Sequence, residues 1–92
     1  MAHNAGSLEE KVQRGEGVRR LLADEHVQSA FADLRERTIK EWEQAKTVAA
    51  REESHAVLQA LHKLQVSLRI IVDAGEHAKI ELQRAEKAQQ TV

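Results

Sequence analysis

Apolar side chains recur every three or four positions along most of this chain. The longest such series is Val57, Leu61, Leu64, Leu68, Ile71, Gly75, Ala78, Leu82 and Ala85. Alternating steps of three and four return to one side of an α-helix, so these positions form a single stripe. No proline interrupts the run. The residues between are mostly Glu, Gln, Lys, Arg, Ala and Leu, which lose little rotamer freedom in a helix. The pattern predicts one helix over residues 48–89, roughly 60 Å long at the α-helical rise.

The front half repeats the pattern in shorter pieces. Val27, Ala30, Phe31, Leu34, Thr38, Ile39, Trp42 and Ala45 share helical spacing, with Asp33, Glu36, Arg37, Lys40 and Glu43 on the other side. This predicts a helix over residues 25–46. Asp24 is placed to cap it, and Glu25 suits the positive end of its dipole. Glu36 and Lys40 form an i,i+4 pair in the favoured order, worth a few tenths of a kcal/mol. Before it, Ser7-Leu8-Glu9-Glu10 has the form of a capping box and predicts a short helix over residues 8–23, after a disordered stretch at 1–6. Gly15-Glu16-Gly17 weakens that helix, since each glycine costs about 1 kcal/mol relative to alanine. The expectation there is a bend, or disorder up to a helix starting near Gly17.

Lys46-Thr47 separates the two long helices, with Thr47 able to cap the second. A short connection at that point folds the chain into an antiparallel αα-hairpin. The expected fold is therefore all-α: a helical hairpin of two long helices with a short N-terminal helix, in a single domain over residues 7–92. The long helix carries a second apolar edge at Leu58, Val66, Ile70 and Val72 that the shorter helices cannot cover along its length. Exposed apolar surface of this kind marks an interface. Self-association is expected through Leu58, Val66, Ile70, Val72 and Gly75, the glycine allowing another backbone to come close.

Composition sharpens this reading. Hydrophobic residues are 41% of the 92, yet much of that share is alanine, with one Phe, one Trp and no Tyr. So small a chain with so few large anchors has a thin core. The net charge is −1, less basic than a free-standing nucleic-acid binder usually is. The absence of cysteine excludes disulfides and thiolate metal sites and fits a reducing compartment. The first seven residues lack the basic start and apolar core of a signal peptide, and no apolar run is long enough to cross a bilayer.

Little in the sequence supports catalysis. Glu52-Glu53-Ser54-His55 contains Glu-x-x-His, the spacing of helical di-iron sites. The set lacks a second pair within reach: Asp73 and His77 lie about 30 Å farther along the same helix. His55 and His62 share a face, where histidines commonly serve as solvated flanking residues. Ser7 reads as a cap, and Ser29, Ser54 and Ser67 fall in helix interiors without a nucleophile elbow. No phosphate-binding loop is present: Gly15-x-Gly17 lacks the third glycine and the lysine. No enzyme activity, metal or cofactor is expected. Arg19, Arg20, Arg35, Arg37 and Lys40 are candidate phosphate contacts, but Glu16, Asp24, Glu25, Asp33 and Glu36 nearly cancel their field. Trp42 shares a side with Phe31 and Leu34 and reads as a packing residue, with an interface anchor as the other use.

The run Gly17-Val18-Arg19-Arg20-Leu21-Leu22-Ala23-Asp24, then Ala30-Phe31-x-x-Leu34, Trp42, Leu58-x-x-Leu61-x-x-Leu64 and Ile71-Val72-Asp73-Ala74-Gly75, resembles a family of small helical bacteriophage proteins encoded among head and DNA-packaging genes. The resemblance covers residues 15–83, and its motifs are mainly helix-packing positions. It implies a small-terminase-like homo-oligomer that helps a packaging motor engage DNA, in the host cytoplasm or the virion. A separate helix-turn-helix domain is missing, so the implied DNA contact is weak or indirect. A small nucleic-acid-binding module and an inhibitor of a host defence complex are the alternatives that the same resemblance leaves open.

Overall fold

A computed structural model describes residues 2–90, with side chains from Gly6 onward. Three helices account for nearly all of them: α1 (Ala2–Ala23), α2 (Glu25–Gln44) and α3 (Val48–Gln90). Among the described residues there is no strand, so the all-α expectation holds.

The helix ends show which local signals the fold uses. A single residue, Asp24, separates α1 from α2, with φ −71° and ψ 127°. Its carboxylate accepts hydrogen bonds from the backbone N–H of His26 at 2.8 Å and of Val27 at 3.1 Å. The Gln28 side-chain amide reaches back and donates to the Leu22 carbonyl at 2.8 Å, satisfying one of the open acceptors at the end of α1. At the other junction α2 stops two residues short of the expected 46. Ala45 turns extended, with ψ 129°, and its N–H donates to the Trp42 carbonyl. Thr47 then caps α3, its hydroxyl accepting from the Ala50 N–H at 3.1 Å. Both junction caps were legible from residue type alone.

The start of α1 differs from the capping-box reading. The helix begins at Ala2, so Ser7 lies inside it and the stretch expected to be disordered is helical from residue 2. Ser-x-x-Glu is compatible with a helix interior, and Ala2 and Ala5 favour continuation. Nor does the glycine pair break α1. It is continuous through Gly15 and Gly17, and neither has positive φ.

Contacts group the chain into two compact units, Met1–Leu21 with Leu68–Val92, and Leu22–Ser67. In the first, α1 packs on the later part of α3. Gly15, Val72, Gly75 and Ala78 are buried, and Leu8, Val12, Val18, Ile71 and Leu82 are partly covered. The two glycines sit at the closest approach. A Cβ built on Gly15 would lie 2.9 Å from the Gly75 Cα, and one on Gly75 would lie 2.9 Å from both the Gly15 Cα and the Lys11 carbonyl oxygen. This contact offsets the poor helix propensity of Gly15, because only glycine permits backbones so close.

In the second unit, α2 packs on the earlier part of α3. Thr38, Ser54 and Leu61 are buried, with Val27, Phe31, Ile39, Ala45, Ala50 and Leu58 partly covered. The buried Thr38 hydroxyl donates to the Leu34 carbonyl at 2.7 Å, one turn back in its own helix. That removes the cost of a hydroxyl in an apolar contact. Among the described residues no buried side-chain polar atom lacks a partner, and no large side chain is fully buried. The core is as thin as the composition implied.

Candidate functional site

The inward line of α3 runs through Ser54, Leu58, Leu61, Leu68, Val72, Gly75, Ala78 and Leu82. It is turned slightly from the stripe expected from sequence. Leu58 and Val72, assigned above to a second, outward edge, belong to this line, Leu58 partly covered and Val72 buried. Gly75 is spent on Gly15 of the same chain. Of the five residues expected to contact another copy, Val66 and Ile70 are exposed, at 43% and 60%. Conversely Val57 and Leu64, placed on the inward stripe by sequence, stand at its open edge. Gly15 and Gly75 make one helix contact, Thr38 and Ser54 are small and buried, and large apolar residues beside them are left part-covered or exposed.

Large exposed apolar side chains are therefore the main surface feature. On α3 they are Val48, Val57, Leu64, Val66, Ile70 and Ile80; on α1 and α2 they are Leu21, Leu34 and Trp42. Trp42, read above as packing, is 47% exposed. Exposed apolar residues scattered singly are ordinary on a folded surface; the nine here are spread over all three helices.

The charged candidates are arranged differently. Arg19, Arg20, Arg35, Arg37 and Lys40 are all exposed. Lys40 pairs with Glu36 at 3.6 Å, the pair its spacing predicted. Beside the glycine crossing, a groove of about 260 Å³ is lined by Val12, Gly15, Glu16, Arg19, Val72, Gly75, Glu76 and Lys79. Two acids face two bases there, so no single-sign field is aimed at a ligand. Between residues 16 and 43 the chain carries five basic and seven acidic side chains, which argues against a phosphate-tracking surface.

Glu52, His55 and His62 are exposed on α3. His77 pairs instead with Glu81 at 3.1 Å. Among the described residues no three His, Cys, Asp or Glu side chains converge on a common point able to hold a metal. Among them, too, no helix is long and apolar enough to cross a membrane.

Sequence reasoning missed the role of Gly15, which reads as a weak spot in α1. The available signal was Gly75 on the apolar stripe: a glycine there asks for a close neighbour, and Gly15 is the other glycine lying among apolar positions at helical spacing. No family model, curated protein sequence or solved structure matches this chain.

Proposed function

We propose that this chain is a non-enzymatic bacteriophage assembly part, a small-terminase-like adaptor in DNA packaging that works as a homo-oligomer. In this reading α2 and the first part of α3 form an antiparallel hairpin joined at residues 45–47, and the apolar surface left over is the assembly surface. The observation that carries it is the set of exposed large apolar residues on α3, above all Val57, Leu64, Val66 and Ile70. One protomer leaves them wet, and a partner stabilises the assembly by covering them. The resemblance of residues 15–83 to small phage head and packaging proteins supplies the biological setting. The partner is a packaging motor or another phage protein, DNA is approached indirectly, and the place of action is the host cytoplasm or the virion.

Light scattering on the purified chain across a concentration series tests the reading, with a defined multiple of 10.4 kDa expected. A strict monomer at high concentration overturns it. The genomic setting is a second check: terminase and portal genes alongside are expected, and a locus without any phage structural gene argues for another role.

A further inference from the structure

α1 and α2 are held in place by different means. α2 has local support of its own: Asp24 caps its first turn through two backbone N–H groups, Glu25 suits its dipole, and it contains no glycine. α1 carries three of the chain's four glycines, Gly6, Gly15 and Gly17, and no acidic residue in its first turn. Glycine is the poorest helix former after proline. Among residues 6–23 Gly15 alone is buried, and Leu8, Val12 and Val18 are only partly covered. Most helical stability in proteins comes from packing an apolar face, and α1 has little such face to pack.

Within the first unit the seat of α1 is correspondingly narrow. The turn ending at Gly15 lies against the turn ending at Gly75. A Cβ on Gly15 would come within 2.9 Å of the Gly75 Cα and 3.1 Å of the Ile71 carbonyl oxygen, and one on Gly75 within 2.9 Å of the Lys11 carbonyl oxygen. Gly15 thus weakens α1 as a free helix and is also what lets α1 dock. Helix formation and docking are therefore one event. A segment built this way opens as a unit, with a smaller opening free energy than the whole fold. On α3 its release uncovers Val72, Gly75 and Ala78, which are buried while α1 is seated.

We propose that α1 is a strap: it is helical only while Gly15 is seated on Gly75, and it leaves α3 and bares Val72, Gly75 and Ala78 while the second unit stays folded. The test is amide hydrogen exchange on the full chain, resolved by residue. Under native conditions the amides of residues 11–20, in α1, are expected to exchange about tenfold or more faster than those of residues 31–41, in α2. Two variants separate docking from helix propensity. Gly15→Ala improves the helix but obstructs the seat, and is expected to speed exchange over residues 11–20 while leaving residues 31–41 unchanged. Gly17→Ala improves the helix and meets nothing within 4 Å, and is expected to slow residues 11–20. Exchange at one rate in both segments of the parent chain overturns the strap, as does exchange in α1 at the rate of an unstructured chain. A Gly15→Ala chain that slows α1, leaves it unchanged, or speeds both segments alike overturns it too.

Discussion

Gly15 and Gly75 meet backbone to backbone: a Cβ added to either would come within 2.9 Å of the other's Cα. The neighbours are main-chain atoms, which cannot swing aside as a flexible side chain can. Gly75→Ala and Gly15→Ala are each expected to lower stability by about 1–3 kcal/mol, the usual cost of overpacking a tight contact. Gly17 is the internal comparison, having nothing within 4 Å of a built Cβ. Gly17→Ala is expected to raise stability by about 0.5–1 kcal/mol through helix propensity and a less free unfolded chain. Urea melts of the three variants check this, and equal effects at Gly15 and Gly17 would show that the crossing does not hold α1 on α3.

Thr38 and Ser54 do the corresponding work in the second unit, being small and buried where α2 and α3 pack. Thr38→Leu adds volume where a side chain this short is already covered. A loss of about 1–3 kcal/mol is expected. Leu64→Ala, at a half-exposed site, is expected to cost clearly less than the 2–5 kcal/mol of a fully buried leucine in the isolated protomer. Thermal melts at low protein concentration separate these two outcomes.

The junction caps make a second stability test. Asp24 holds the start of α2 through two backbone N–H groups, and Thr47 holds the start of α3 through one. Asp24→Ala and Thr47→Ala are each expected to cost about 0.5–2 kcal/mol, and Asp24→Asn much less, since its side-chain oxygen accepts the same bonds. Ser7→Ala is expected to be neutral or slightly stabilising, because Ser7 lies inside α1 and alanine is the better helix former. Denaturation midpoints of the four variants, read together, show which sequence cap signals the fold uses.

Helix number and the two caps could be read from residue type because those signals are local. A carboxylate at Asp24 or a hydroxyl at Thr47 meets backbone groups two or three residues away, whatever else the chain does. The inward face of α3 was less legible. Its rotation depends on which residues of α1 and α2 it packs against; Gly15 meets Gly75 and Thr38 is the buried residue of α2, and the hydrophobic signal of both is weak. Periodicity therefore placed Val57 and Leu64 inside and Val72 outside, one step round the helix from where they stand. The same shift moved the open apolar edge, so the expected interface residues Val72 and Gly75 are covered within the protomer.

The charge pattern makes a prediction about DNA that separates an indirect packaging role from direct binding. Arg19, Arg20, Arg35, Arg37 and Lys40 are exposed, but acids stand between them and Glu36 occupies Lys40. A protein that releases counterions through six to ten phosphate contacts loses about 10³–10⁵ in affinity between 50 and 200 mM salt. With five basic groups facing seven acidic ones over residues 16–43, few such contacts can form together. Duplex DNA is expected to show no mobility shift at 200 mM salt and at most a weak one at 50 mM. Replacing Arg35 and Arg37 by glutamine is expected to leave the oligomer mass unchanged while abolishing any low-salt shift. Tight binding that survives 200 mM salt would instead make these arginines the working surface and set the assembly role aside.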